Sequence, residues 1–254
     1  MNKIATLILG CLIGVGPGPG SDAAPPDAAP PDAAPPESVD CSTLQGKVMV
    51  GYQGWFNCEG DGMGRGWTHW SSDRNRRSFG PGNATVDLWP DMSELDPDEQ
   101  FTTGFRLADG SPATVFSSAN RKTVLRHFRW MREYGIDGAF VQRFATGLNR
   151  DDVLRHRNTV LSHAREGAEQ SGRAFVVMYD LSGMRRGSTD RVREDWARLN
   201  ADQEITKSSS YLHHDGKPLV AVWGIGFNDR HDGNSYSLED CRQLIRDLKG
   251  AGCS

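Results

Sequence analysis

The sequence predicts an α/β fold made of parallel (β/α) units. Four short, nearly continuous apolar runs alternate with four segments in which apolar residues recur at helical spacing. Apolar strands joined through helices pair in parallel and are buried on both faces. A long loop after the first strand is typical of barrels, which build sites at the C-terminal ends of their strands, rather than of dinucleotide-binding sheets. Because a complete barrel has eight strands, four units correspond to half a barrel or to a complete smaller sheet.

Each element follows from a local pattern. Apolar runs predict strands at 47–56, 138–144, 174–181 and 217–225. Apolar residues at helical spacing predict helices near 123–134, 153–168, 192–199 and 238–248. Asp151 and Asp152 mark the start of the second helix, and Ser237 is expected to cap the fourth. Asp137 precedes the second strand and is expected to be a turn or cap residue.

Composition divides the chain of 254 residues into three segments. These are a secretory or lipoprotein signal (1–21), a proline-rich linker (22–40) and a body (41–254). The net charge of −4 resides entirely in the first 40 residues, so the body is neutral. A neutral body argues against nonspecific nucleic-acid binding. A mean hydropathy of −0.56, with no long apolar run after the N-terminus, argues against a polytopic membrane protein.

The N-terminal segments predict export from the cytoplasm. An apolar run of about 12 residues follows Lys3, which is the length of a secretory core and too short for a transmembrane anchor. The motif Ile-Leu-Gly-Cys ending at Cys11 resembles a lipobox, so two outcomes fit, lipidation of Cys11 or cleavage near Ala23. Three Asp-Ala-Ala-Pro-Pro repeats then predict an extended, solvated spacer. The expected location is secreted, periplasmic or at the cell surface, with a lipid anchor as one possibility.

Polar and aromatic residues gather where the predicted strands end. The candidate substrate-binding residues are Tyr52, Trp55, Trp67, His69, Trp70, Gln142, Tyr179, Asp180 and Trp223. A sugar packs its C–H face on aromatic rings and offers its hydroxyls to fixed polar groups, so this rim points to a carbohydrate polymer or glycan. Gln142 has two interpretations, a packed polar group inside the barrel or a contact to a sugar hydroxyl. Arg143 is expected to form a structural ion pair.

Asp180 is the candidate catalytic residue of this rim. Its position favours a hydrogen bond to substrate or to neighbouring loops over acid catalysis. Glycoside hydrolysis needs two carboxyl groups, about 5–9.5 Å apart. No metal or cofactor is predicted. The acidic and histidine residues of the loops do not have the spacing of a known metal-binding motif; they are Glu59, Asp61, Asp229, His231 and Asp232.

Several blocks of the body together resemble one bacterial secreted family. They are GYQGWF at 51–56, GWTHW at 66–70, LWPDMSEL at 88–95, HFRWMREYGIDGAFVQRF at 127–144, VVMYDLSG at 176–183 and KPLVAVWGIGF at 217–227. The family is labelled xylosidase/arabinosidase and is similar to the glycoside hydrolase family 99 and family 71 group. The resemblance implies a TIM-type (β/α)8 barrel acting on glycans, of which this chain is the N-terminal half. It also implies that the catalytic pair, two glutamates three residues apart, lies in the later half, so no catalytic carboxylate is carried onto this sequence.

Two functions of different classes follow. One is a glycoside hydrolase-like protein that acts on or binds glycans, and the other is a non-catalytic carbohydrate-binding or interaction module. An inactive truncated product is a third possibility, because a half barrel exposes strand edges and an inner face. Glycan binding without turnover separates the second function from the first. The oligomeric state is left open.

The cysteines of the body predict disulfides in an oxidising compartment. A ten-residue strand between Cys41 and Cys58 separates them by about 33 Å, which disfavours a bridge between them. The fourth helix is expected to place Cys241 near the rim and Cys253 near the base. The sequence therefore predicts Cys58–Cys241 or Cys41–Cys253.

Overall fold

The computed structural model describes residues 38–227 and 234–254. The predicted signal, Cys11, the spacer up to residue 37, and the loop residues Asp229, His231 and Asp232 lie outside these ranges. In the described part of the chain, no helix is long and apolar enough to cross a bilayer.

The described part of the chain contains eight strands and four α-helices. The strands are β1 (Met49–Tyr52), β2 (Phe101–Arg106), β3 (Pro112–Val115), β4 (Gly138–Phe144), β5 (Ala174–Asp180), β6 (His213–His214), β7 (Lys217–Pro218) and β8 (Ala221–Trp223). The helices are α1 (Arg121–Glu133), α2 (Asp151–Ser171), α3 (Asp190–Gln203) and α4 (Leu238–Gly250). Asn120 caps α1 through its side chain, and Ser237 caps α4 as predicted.

One parallel sheet organises the molecule. Its strand order is β1-β4-β5-β8, so each strand pairs with the next strand of the same sheet along the chain, and each pair is parallel. This sequential order is that of consecutive barrel strands, whereas a doubly wound sheet reverses its order at a switch point. The strands form a curled half-barrel with helices between them, and the predicted fold class is confirmed.

The two faces of the sheet bury different layers. Residues such as Val141, Val177 and Val222 face the helices and join the main apolar core with Phe128 of α1 and Leu161 of α2. Alternate residues face the inner side of the curl. At the base of the inner side, Ala174 and Val176 of β5 and Met49 of β1 pack with Leu44 of the N-terminal segment. The base is therefore covered, while the residues nearer the C-terminal strand ends are more open.

A large insertion follows β1 and has a core of its own. It contains the antiparallel β2–β3 hairpin, which the sequence analysis missed. Its apolar cluster is made of Phe56, Cys58, Trp67, Trp70, Phe79 and Val115, with further rings around them. The insertion is thus a folded layer beside the sheet rather than a flexible loop.

Two predicted strands are shorter in the structure. The first ends at Tyr52 because the chain turns there, with the Trp55 N–H donating to the Gln53 carbonyl (2.9 Å). The fourth is split because Lys217–Pro218 forms a small hairpin with β6, leaving only Ala221–Trp223 in the main sheet.

The predicted disulfides are wrong, because Cys41, Cys58, Cys241 and Cys253 are all free thiols. Cys58 belongs to the core of the insertion, where its thiol donates to the Phe116 carbonyl (3.2 Å). Cys241 and Cys253 belong to the main core, and Cys41 packs at the base. The members of each predicted pair thus lie in different apolar clusters.

Candidate functional site

The C-terminal ends of three adjacent strands place three side chains in one row. Phe144 of β4 is in register with Asp180 of β5, and Asp180 is in register with Trp223 of β8. All three alternate with the helix-facing residues of their strands and therefore point to the inner side of the curl. Because neighbouring strands lie about 4.8 Å apart, an aromatic ring flanks the carboxylate on each side. We call Phe144, Asp180 and Trp223 the rim row.

Asp180 is held in a fixed orientation within this row. Its Oδ2 accepts a hydrogen bond from the Gln142 side chain, and its Oδ1 accepts the Ser182 N–H (2.8 Å). The residue is only 2% exposed. Gln142 therefore bonds a neighbouring carboxylate from inside the curl, which corresponds to the packed polar group among its two interpretations. Of the two partners predicted for Asp180, a loop is represented by Ser182, and the contact with substrate stays a prediction.

Three rings stack next to the row. The Trp55 ring lies 5.0 Å from His69 and 4.8 Å from Phe144, between centroids, and His69 and Phe144 are 6.2 Å apart. These distances place His69 and Phe144 beside each other against the indole rather than on opposite faces of it. The insertion and β4 therefore meet at the rim through Trp55, His69 and Phe144, which we call the ring stack.

His69 is unusual in backbone and in charge. Its φ is +63°, a left-handed conformation that costs a non-glycine residue about 1–2 kcal/mol. The Thr85 hydroxyl donates to its carbonyl and holds this conformation. The residue is exposed to solvent, yet desolvation by neighbouring groups, followed by the positive charges of Arg76, Arg65 and Arg157, lowers the pKa of His69 to about 4. The imidazole is therefore neutral above pH 5 and can both donate and accept hydrogen bonds.

Trp223 provides the open aromatic surface of the rim. It is 51% exposed, and Phe227, 47% exposed, lies edge-on at 5.7 Å between ring centroids. The Leu181 N–H donates to the Trp223 carbonyl (3.1 Å), and the Tyr236 hydroxyl donates to the Gly224 carbonyl. Gly224 has a φ of +91°, which a side chain would strain. The indole is thus presented to solvent on an anchored backbone.

Three other residues that were predicted to contact the sugar are buried away from the rim, which corrects the sequence analysis. Trp67 and Trp70 are 5% and 3% exposed in the core of the insertion. Tyr52 faces α1, where its hydroxyl bonds to His127 Nδ1 (2.8 Å), and burial raises its pKa. Their rings offer no open face on which a sugar could stack.

Tyr179 also faces the helices, because it alternates with Asp180. Its hydroxyl donates to Asp195 Oδ2 (2.8 Å), and burial followed by the Asp195 charge raises its pKa well above the ordinary value. The same carboxylate accepts two bonds from Arg143, both of 2.7 Å, and Arg143 also donates to Asn158 (2.8 Å). The ion pair predicted for Arg143 is confirmed, whereas the substrate contact predicted for Tyr179 is replaced by this buried network.

The acidic groups of the insertion have structural roles. Asp61 accepts bonds from the Asn57 amide, the Cys58 N–H and the Ser117 hydroxyl. A cluster of Asp96, Asp98 and Glu99 has the spacing to hold a cation. Their carboxylates already bind protein cations, Lys122 and Arg126.

Sequence reasoning missed Phe144 and Phe227. The signal for Phe144 was present, because it follows Gln142 by two residues in the same strand and must share its face. Phe227 lies beyond the end of β8, where no periodicity indicates a face.

The solved structures that are similar to this chain include two of one enzyme. Both are of the GH99 endo-alpha-mannosidase from Bacteroides thetaiotaomicron, the second in complex with bis-tris-propane. The first match has 16% identity and a TM-score of 0.39, covering 69% of this chain and 44% of the mannosidase. The second has 12% identity and a TM-score of 0.38, covering 80% of this chain and 56% of the other. No protein-family model and no curated protein matches the chain.

The chain spans about half the length of the solved structures that it matches. The assignment of the fold rests on the strand order and register described above rather than on these matches.

Proposed function

We propose that this protein is a glycoside hydrolase-like half-barrel that binds glycan chains at the rim row and acts outside the cytoplasm. The observation that carries the proposal is the register of Phe144, Asp180 and Trp223, which sets a carboxylate between two aromatic rings on the open side of the sheet. A pyranose or furanose ring stacks its C–H face on the exposed indole of Trp223. Asp180, which is 2% exposed and bonded to Gln142 and Ser182, lies beside this indole at the bottom of the row.

The rim is suited to a chain of sugars rather than to a single sugar. Trp223 with Phe227 forms an exposed platform on one side of Asp180, and the ring stack lies on the other side. His69, neutral at physiological pH, adds a polar group at the far end. A polymer of xylose or arabinose units fits the family resemblance of the sequence blocks.

The last residues of the four main-sheet strands favour glycan binding over glycan hydrolysis. Of the residues that end β1, β4, β5 and β8, Asp180 is the one carboxylate. Glycoside hydrolysis needs two such groups. Hydrolysis is the second candidate function, because Asp180 has the place of an acid at a strand end, and it requires a second carboxylate to face Asp180 across the cleft.

The test is a glycan-binding measurement on the purified body, residues 38–254. Titration calorimetry with xylan, arabinan and mannan oligosaccharides is run beside a reducing-sugar assay on the same samples. Binding of at least one oligosaccharide without release of sugar supports the module, and binding with release supports the hydrolase. Absence of binding across the panel contradicts both.

The location is tested separately on the full chain expressed in a bacterial host. Mass spectrometry of the mature N-terminus distinguishes a lipid on Cys11 from cleavage near Ala23. An uncleaved protein recovered from the cytoplasm contradicts export.

A further inference from the structure

A small cavity lies between the sheet and α2, beneath the rim. Its lining comes from β4, β5, α2 and the turn after β1, and is formed by Gly54, Val141, Gln142, Arg143, Arg157, Val160, Leu161 and Val177. The cavity leaves about 10 Å³ for a sphere of water size. That volume corresponds to a single water or monatomic ion.

Two guanidinium groups line this otherwise mostly apolar cavity. Arg143 is 3% exposed, and its Nε and Nη2 are bonded to Asp195 and Asn158. Its Nη1 is buried and has no hydrogen-bond partner in the described part of the chain. Because the other two nitrogens are engaged, Nη1 is the donor that Arg143 can offer to the cavity. A buried donor without a partner is destabilising, and more so when the group is charged.

Arg157 supplies the second charge. Its Nη1 donates to the Phe144 carbonyl, and no carboxylate among the described residues forms an ion pair with it. Burial and then the neighbouring Arg143 charge lower the pKa of Arg157 to about 9. The guanidinium of Arg157 is thus both desolvated and close to the like charge of Arg143.

The charges facing the cavity do not balance on the helix side of the sheet. Arg143 and Arg157 are both positive there, while Asp195 is the carboxylate that pairs with Arg143. Asp180 lies on the opposite face, where Gln142 and Ser182 bond it, and Arg65, also near Arg157, is paired with Asp152 at 3.3 Å. The charges of Asp195 and Asp180 act on Arg157 from a distance, but among the described residues no carboxylate lies within ion-pair distance of its guanidinium. A buried guanidinium without a close counter-charge is costly.

We propose that this cavity is a site for a monatomic anion of the halide class, chloride, held by Arg143 Nη1 and the guanidinium of Arg157. The anion accepts a hydrogen bond from the partnerless Arg143 Nη1 and provides the close counter-charge that Arg157 lacks. Since Arg157 also bonds the Phe144 carbonyl, the ion stabilises the backbone that carries the rim row. The proposal does not depend on glycan binding, and its test contains no sugar.

The first experiment measures thermal unfolding of residues 38–254 in sodium chloride against sodium gluconate at equal ionic strength, because gluconate is too large for the cavity. We expect chloride to raise the midpoint by about 3–5 °C when its concentration exceeds the dissociation constant about tenfold, and to raise it further with the logarithm of the concentration. Arg157→Gln is expected to abolish the difference between the salts. Arg155→Gln, two residues away on α2 and bonded to the Met63 carbonyl outside the cavity, is expected to keep it.

The second experiment uses the unaltered protein, so it stands even if Arg157→Gln does not fold. Crystals grown in sodium bromide are expected to show an anomalous peak within about 3.5 Å of Arg143 Nη1. A water at that place without anomalous signal, or bromide at surface arginines only, overturns the proposal. Equal midpoints in chloride and gluconate overturn it as well.

Discussion

Asp180 and Trp223 are paired in register across β5 and β8, so a buried carboxylate and a half-exposed indole stand side by side on the inner side of the curl. Phe144 extends the pairing to β4. The arrangement follows from the parallel register, which brings together three residues that are far apart in the sequence. The predictions below test the row, its support and the core beneath it.

Replacing Trp223 by alanine is expected to weaken glycan binding about tenfold, equivalent to about 1.4 kcal/mol, because the stacking surface is lost. Calorimetry on the tightest oligosaccharide of the panel gives the dissociation constant. Tyr134→Ala is the matched control, since Tyr134 is 62% exposed but follows α1 at the opposite end of the sheet. An equal loss in both variants contradicts a specific role for the rim.

Asp180→Asn separates binding from chemistry. The amide oxygen still accepts the Ser182 N–H, but an NH2 replaces the Oδ2 that accepted from Gln142, so Gln142 must turn its own amide and accept instead. Both hydrogen bonds are kept by that exchange, and the glycan affinity is expected to change by less than about threefold. Any hydrolysis that depends on this carboxyl is expected to fall by at least about a hundredfold. Reducing-sugar release and calorimetry on the same preparation report the two effects. Undiminished hydrolysis in the variant would remove Asp180 from the chemistry.

Arg143→Met is expected to lower the free energy of unfolding by about 3–5 kcal/mol, because Asp195 is left as an uncompensated buried charge. Urea denaturation measures it. Arg129→Met is the control, because Arg129 pairs with Glu94 at 3.0 Å on the surface and should contribute less than about 1 kcal/mol. A similar loss of unfolding free energy in the two variants would show that the buried ion pair contributes no more to stability than the surface pair.

Acid is expected to destabilise the protein through His156. This residue is 2% exposed, and burial, followed by the charge of Arg65, lowers its pKa to about 4. Because the unfolded chain binds the proton near pH 6.5, the stability is fully present above pH 6.5 and falls as the pH drops toward 4. The total loss is about 3 kcal/mol for this group. Urea denaturation between pH 7.5 and 4.5 should show a shallower decline in His156→Leu, and parallel declines would refute the assignment.

Gly54→Ala tests the turn that brings Trp55 to the rim. A Cβ at this position would lie 2.4 Å from Val160 Cγ1, so α2 and the turn must separate. The expected destabilisation is about 1–3 kcal/mol. Gly51→Ala is the control within the same segment, because its Cβ would meet nothing within 4 Å. We expect that control to be neutral or slightly stabilising in urea denaturation.

The sequence was sufficient for the order of the four main-sheet strands and the four helices, and insufficient for the two small hairpins and for the faces of the strands. Strand 138–144 and the cap at Ser237 are found where periodicity and capping chemistry place them. Tyr179 and Asp180 are adjacent in one strand and must lie on opposite faces. Which of the two faces the helices could not be predicted, because the strand is apolar almost throughout. The burial of Trp70 depends on a hairpin core assembled from distant segments, which local pattern does not reveal.

The most direct test of the rim row is the indole N–H spectrum of ¹⁵N-labelled protein titrated with the oligosaccharide that binds tightest. Trp223→Phe and Trp55→Phe assign the two signals at the rim. We expect these resonances to shift on titration, while those of the buried Trp67, Trp70 and Trp196 stay in place. Saturable binding that shifts the buried indoles, or leaves Trp223 unmoved, would contradict the account.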